Sequence, residues 1–478
     1  MRTRPSATTK RPSLWLRATA VTTAVLIVGS GCGSRASDTE IAEALRGPST
    51  TGAAGAATVD TSAAGPVGSV AAPAVPDAAA APGSTTAGSK AGKPAAGVTP
   101  GGAATPSSAA APAATAPKVA DKSEVKIGML GPWSGVLGAV TASAPKTLQA
   151  WVANQNAKGG LNGHPIKLIV ADDQGDPATT LTLARRLVES DKILAMAGNI
   201  NLFGFPQLES YMRSKNVPML GDGIDPGWYS SPVSFPVTSH LGDQILAGLQ
   251  LLVSSGTSKM GMLYCLEVAA LCTYFRDKTL ASPMGKYIVQ NYQVSLVAPS
   301  YTSQCLRMKQ ANIDAIYLLM DTAGAARLVQ DCAVQGFRPK VMLLGLDATK
   351  DMPTIPALKD TLVPGATASP ATGQGLPAVE NYRRAMATYG PTVGESGTGM
   401  LAWVAGEMLA LAGKNLPAAP TSADLFAGLW TVKNETLGGL TVPLTYAKGK
   451  NAVAKPCTFL WGVANNKFSA PQGAKLFC

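Results

Sequence analysis

The chain has 478 residues, 46% of them hydrophobic and 14% charged, with 40 Lys and Arg against 29 Asp and Glu and a formal net charge of +11. That length allows two or three domains, and the basic surplus does not make a nucleic-acid surface, because part of it sits in the N-terminal segment and the rest is scattered rather than gathered into a stripe with stacking aromatics. With two histidines and no H-E-x-x-H, G-x-S-x-G or G-x-x-x-x-G-K-[ST] pattern, an enzyme is not the expected reading.

Arg2, Arg4, Lys10, Arg11 and Arg17 precede an apolar stretch from Ala18 to Val28 that reaches Gly29-Ser30-Gly31-Cys32. A positive segment, a short apolar segment and small residues at the cleavage point predict a secretion signal over residues 1–31. The apolar stretch falls short of the ~20 residues that a membrane span needs. Cys32 after small residues resembles a bacterial lipobox, so Cys32 is the expected lipidated first residue, although Gly29 stands where an aliphatic residue is usual. The alternative is a plain secretory peptide. Residues 32–121 follow as a lipid-anchored tether: from Thr50 to Pro117 nearly every residue is Ala, Gly, Pro, Ser, Thr or Val, and no apolar period could offset the entropy of ordering. A coil of that length spans roughly 45 Å. The expected location is the extracytoplasmic face of a bacterial membrane.

The first element of a folded part is the apolar run Val125 to Leu130, stopped by Gly131-Pro132 and a Gly-rich turn through Gly135. A helix with Leu148, Trp151, Val152 and Gln155 at helical spacing ends at Gly159-Gly160, and Ile166 to Ala171 is the next strand. Strand, helix and strand make a βαβ unit, which requires a parallel sheet with a right-handed crossover. Ligands bind beyond the carboxyl ends of strands in such sheets, which directs attention to the loop Gly131 to Gly135. Asp176-Pro177 opens a helix with Asp as N-cap and Pro at its first position. Strands are expected at Ile193 to Ala197 and Val217 to Leu220, with a helix between them through Leu208, Tyr211 and Met212. His164, in the turn Asn162 to Pro165, reads as a surface residue.

The same grammar then repeats. Strands are expected at Met260 to Tyr264, Val294 to Ala298, Ala315 to Met320 and Val341 to Gly345, with helices within Thr273 to Gln290 and over Ala323 to Gln335. Beyond Gly365, Glu380 to Tyr389, Gly399 to Ala412 and Ala423 to Val432 read as helices, and Gly439 to Val442 and Thr458 to Val463 as strands. Six cysteines lie in this region, and an even number in an exported chain points to disulfides rather than metal, which would call for C-x-x-C pairs or nearby His. Local loop closure favours Cys265 with Cys272, Cys305 with Cys332, and Cys457 with Cys478.

The succession KIGMLGPWSG, NAKGGLNGHPIKLIVADDQGDP, ARRLVESDKILAMAG and NVPMLG, followed more loosely by SKMGMLY, DAIYLLMD, QGFRPKVMLLG and NYRRAMATYGP, resembles the type I periplasmic solute-binding proteins of the branched-chain amino acid class that serve ABC importers. The resemblance runs from Glu124 to the C-terminus. It implies two doubly wound α/β lobes joined by three crossover segments, with a ligand enclosed in the inter-lobe cleft. Carried onto this chain, lobe one is 124–239 plus 366–440 and lobe two 240–365 plus 441–478. It further implies an ABC permease as partner, no cofactor and no metal. Sensing or scaffolding without transport is the alternative.

Lobe-one loops would then present Trp133, Ser134, Asn199, Asn201 and Asp222 to the ligand, and lobe two Ser239, His240, Tyr264, Glu267, Asp321 and Asp347. Trp133 offers an apolar wall with one N–H donor. For each of these residues the competing role is local: a packed loop anchor, a turn, or a helix cap. Asp222 stands where the resemblance implies a nest for a carboxylate, and carboxylate against carboxylate in a closed cleft costs several kcal/mol unless one is protonated or paired. The expected ligand is therefore a neutral polar molecule (an amide, polyol or sugar) or a cation, rather than an ordinary α-amino acid.

Overall fold

A computed structural model describes residues 121–478 except 202, 224, 373 and 374; the expected signal segment, Cys32 and the tether lie outside the described residues. Strand β1 (Val125–Gly131) is flanked by β2 (Ile166–Asp172) and β3 (Ala195–Asn201), and β4 (Met219–Gly223) and β5 (Ser234–Pro236) follow in the order β2-β1-β3-β4-β5, all parallel. These strands are short apolar runs because helices cover both faces of a parallel sheet. Helix α1 (Gly135–Thr141) occupies what the sequence suggested was a turn, and α2 (Ser143–Ala157) carries the crossover to β2. Gly160, at φ +68, ends that crossover; a Cβ there would lie 1.8 Å from the carbonyl oxygen of His164. Helix α3 (Pro177–Arg185) starts as expected, with the Asp176 carboxylate accepting the Thr179 N–H at 2.7 Å. Helix α4 (Phe205–Lys215) joins β3 to β4.

His164 corrects the surface expectation. It is fully buried, its ring nitrogens 2.7 Å from the Ser123 carbonyl oxygen and 2.8 Å from that of Pro417. The ring closes the turn onto two distant stretches of chain.

After β5, helix α5 (Leu241–Ser254) leads into a second sheet built from β6 (Met260–Cys265), β7 (Ile288–Val294), β8 (Ala315–Leu319), β9 (Lys340–Leu343) and β10 (Leu362–Gly365), with α6 (Ala269–Ala281), α7 (Thr302–Gln310) and α8 (Thr322–Val334) in the crossovers. Strand β7 lies earlier than the apolar run Val294 to Ala298 suggested. As the edge strand it alternates Val289, Asn291 and Gln293 toward solvent, which hides its period, and Val297 is 76% exposed.

The chain then returns to the first sheet with α9 (Pro377–Tyr389), α10 (Gly397–Ala412) and α11 (Ser422–Leu429). Helix α10 packs on α2 and β3; Gly406 admits the ring of Trp151, to which a Cβ would approach 2.4 Å, and the Trp151 indole N–H donates to Glu407 Oε1 at 3.2 Å. Residues 439–442 form one bridge, Thr367 to Thr441, instead of the expected strand. A two-stranded ribbon, β11 (Leu444–Thr445) with β12 (Val453–Ala454), precedes β13 (Thr458–Ala464), which pairs antiparallel with β10 and with β14 (Lys467–Ser469) and β15 (Leu476–Phe477).

Each sheet with its helices forms a lobe, and the fold is α/β. The three passages between lobes run side by side: Thr367 bridges Thr441, Thr441 Oγ1 donates to the Val237 carbonyl at 2.5 Å, and Ser239 Oγ donates to that of Cys457 at 2.7 Å. The disulfides are Cys265–Cys272, Cys305–Cys332 and Cys457–Cys478.

Candidate functional site

Between the lobes lies a cleft of about 380 Å³. Lobe one contributes Leu137, Ala139 and Val140 from α1, with Ile200 from β3. Thr141, the last residue of that wall, donates its hydroxyl to Pro132 and Leu137 carbonyls within the loop. Lobe two contributes Val268, Leu271 and Phe275 around the start of α6, Leu296 and Val297 after β7, Leu319 and Met320 at the end of β8, and Leu344 and Leu346 after β9. Its polar groups are Glu267, Asp321, Arg327 and Asp347. The cleft is thus a mostly apolar chamber whose charged groups all stand on one lobe.

Burial raises the Glu267 carboxyl, but the Ser295 hydroxyl (2.7 Å) and the Leu296 N–H (2.9 Å) outweigh it and hold the group below its ordinary value. Asp321 caps α8, accepting the N–H groups of Ala323 (3.1 Å) and Gly324 (3.3 Å), and burial still pushes it up. Burial, reinforced by repulsion from Asp321, pushes Asp347 well above the ordinary carboxylate range. The Arg327 guanidinium donates to the Leu296 carbonyl and attracts Asp321. Like charges facing an apolar chamber favour a neutral carboxyl, which can donate a hydrogen bond as well as accept one.

The structure brings Glu267, Asp321 and Asp347 together on the cleft, while the other expected site residues do not line it. Trp133 is buried in its own loop, its indole N–H donating to the Ala171 carbonyl at 2.8 Å and its backbone N–H to Asp172 Oδ1 at 2.9 Å. Gly131 makes that fold-back feasible, since a Cβ there would lie 2.7 Å from the indole ring. For Asp172, burial is outweighed by the Ser134 hydroxyl and the N–H groups of Gln174 and Trp133, so Ser134 serves the same loop. A bulge at Gly198, at φ +72, turns Asn199 inward, where its Oδ1 accepts the Leu130 N–H at 3.1 Å and bolts β3 to β1. Asn201 is also buried, with neither amide atom partnered among the described residues.

Asp222 accepts the Thr238 hydroxyl at 2.8 Å and the Tyr229 hydroxyl at 3.4 Å, beside a hollow of about 20 Å³ among the crossings, room for about one water. Ser239 ties two crossings, and His240 caps α5, its Nδ1 accepting the Gly242 N–H at 3.1 Å. Tyr264 is buried in lobe two, its hydroxyl bonded by Arg276 at 2.8 Å. The apolar lining went unread because Leu, Val and Phe at helix starts carry the same signature as core residues. Among the described residues no helix is long and apolar enough to cross a membrane, and no group of three or more His, Cys, Asp and Glu could hold a metal ion.

Residues 124–461 match a family model described as periplasmic binding protein. A curated amino acid binding protein of Pseudomonas aeruginosa is 35% identical over 77 residues, which is 16% of this chain and 21% of that protein, so the alignment spans about a fifth of the curated relative's length. Among solved structures, a possible leucine/isoleucine/valine-binding protein from Rhodopirellula baltica superposes with a TM-score of 0.62 at 17% identity, over 75% of this chain and 99% of its own. A fatty acid ABC transporter substrate-binding protein from Thermomonospora curvata gives 0.62 at 17% identity, over 75% of this chain and 92% of its own.

Proposed function

The chain belongs to the periplasmic binding protein family, whose members bind ligands rather than catalyse reactions, and from that premise we propose that it captures a small solute in the inter-lobe cleft outside the cytoplasm and delivers it to an ABC importer. The observation that carries the reading is the chamber itself: about 380 Å³, within the range of small-molecule sites, lined by both lobes and apolar apart from one edge. Its lining moves the ligand away from the polyol or sugar that the sequence suggested. A solute with an apolar body against α1 and a polar end at Asp321 and Asp347 suits it better. The fatty acid-binding relative supports an apolar cargo, while the carboxyl-rich edge argues for a neutral or cationic end here. Lipidation at Cys32 and a tether over 32–121 would hold the lobes near the permease.

The test is thermal unfolding of the purified mature protein with octanol, octylamine, octanoate, leucine and glucose. A ligand at 100 times its Kd adds about 2.7 kcal/mol of stability. Octanol or octylamine should raise the midpoint, and leucine and glucose should not. Silence from every C8 compound would sink the apolar reading, and unchanged uptake of a bound solute after deletion of the gene would sink transport.

A further inference from the structure

One of the three disulfides differs from the others in what it faces. Cys305 joins α7 to Cys332 in α8, both fully buried and neither on the cleft, and Cys457 fixes Cys478 to the start of β13. Cys265 and Cys272 both line the cleft, and so do Glu267, Val268 and Leu271 between them. The bridge closes a loop of sequence separation 7 that leads from the end of β6 into the first turn of α6.

Apolar packing in the lobe-two core holds that helix start, but no side chain caps it. Val268 stands at the N-cap and supplies no side-chain hydrogen bond, and the first turn has no acidic residue. An uncapped first turn leaves N–H groups without acceptors and frays readily. Within the helix's own first turn the Val268 carbonyl accepts the Leu271 and Cys272 N–H groups at 3.0 and 3.1 Å, but the loop's hydrogen bonds to other elements reach only its N-terminal half: the Leu266 N–H donates to the Val294 carbonyl at 2.9 Å, and Glu267 is bonded by Ser295 and Leu296. Val268, Leu271 and Phe275, the ligand-facing part, lie beyond those ties.

We infer that the Cys265–Cys272 disulfide is a positioning element for ligand recognition, which stands in for the missing cap and holds the 265–272 wall against the solute. The proposal rests on the cleft reading above. It has two consequences: a ligand against that wall covers the bridge and slows its reduction by hindering attack on the sulfurs, and by reciprocity of binding free energies it also shifts the disulfide–dithiol equilibrium toward the disulfide.

The probe is 1-aminoanthracene, a small neutral aromatic amine that fluoresces in apolar surroundings. Full-length mature protein is compared with a Cys265→Ser, Cys272→Ser double variant and with a Cys305→Ser, Cys332→Ser control. The first double variant should bind at least tenfold more weakly and the control within twofold of the unaltered protein, with the far-ultraviolet dichroism of all three alike. A second measurement needs no variant. Tris(2-carboxyethyl)phosphine converts each disulfide to two thiols while it is itself oxidised to the phosphine oxide with oxygen from water. Peptide mapping should show reduction of Cys265–Cys272 slowed at least fivefold by saturating probe, and that of Cys305–Cys332 unchanged. Equal binding by the bridge-free variant, or equal reduction rates with and without probe, overturns the positioning role while leaving the cleft reading intact. Failure of the unaltered protein to bind the probe overturns both.

Discussion

Replacing Trp133 by Phe separates a loop anchor from a ligand wall. The indole is 8% exposed and donates to the Ala171 carbonyl at 2.8 Å, while the backbone N–H to Asp172 is retained in the variant. Leaving a buried carbonyl without that donor costs about 1–3 kcal/mol. Contracting the ring opens a gap against Gly131 and adds about 1 kcal/mol. The sum is about 2–4 kcal/mol, which in a folded body of roughly 350 residues should lower the thermal midpoint by about 3–5 °C. Urea unfolding followed by far-ultraviolet dichroism reads the stability, and titration with 1-aminoanthracene reads the cleft, where affinity should stay within twofold. A variant that keeps its stability but binds tenfold more weakly would refute the anchor and return Trp133 to the ligand.

Asp347→Asn should act through pH. Since its folded-state pKa is raised, the unaltered protein loses stability as pH rises from the ordinary value of 3.8 toward the folded one, so the variant should be the more stable protein at pH 8 and the gap should close toward pH 4; a gap independent of pH would contradict a buried carboxyl. At His240, burial lowers the pKa and Lys278 lowers it further, against the opposing charges of Asp243 and Asp225. Stability is therefore fully present above the ordinary 6.5 and lost as pH falls from there toward the folded value, and His240→Asn, which keeps an acceptor for the Gly242 N–H, should flatten that part of the profile in a pH series of thermal midpoints.

The alternation of lobes was readable because buried parallel strands are short apolar runs between Gly-rich stops, as at Val125 to Gly131 and Ala315 to Leu319. Edge strand β7 was misplaced for the converse reason, since half of it faces water. Local loop closure was enough to pair the six cysteines. The site was legible only in part. Asp321 and Asp347 follow strands of the second sheet and reach the cleft, but Trp133, Asn199 and Asp222, at the corresponding ends of the first, are spent on hydrogen bonds within their own lobe. A polar side chain after a strand can turn toward the ligand or back toward a neighbouring strand, and a one-residue bulge such as Gly198 decides which. The apolar wall of α1 offered no signal at all, because nothing in GVLGAVT distinguishes a side chain facing a solute from one facing the core.

Helix α10 meets α2 through hydrogen bonds between residues some 250 positions apart: Ser143 Oγ lies 2.6 Å from Ser396 Oγ and 2.9 Å from Thr398 Oγ1, at separations of 253 and 255. Between them the ribosome makes the other four strands of the first sheet and then the parallel strands of the second. During synthesis, then, the face of the first sheet and of α2 that α10 will cover, with Trp151 in it, must wait uncovered while all the parallel strands of the second sheet are laid down. Contacts this distant in sequence are slow to form. Neither lobe can be excised as one continuous stretch, and the half that starts first is among the last to finish, so a chain crossing a membrane in extended form has reason to delay its folding until most of it has emerged.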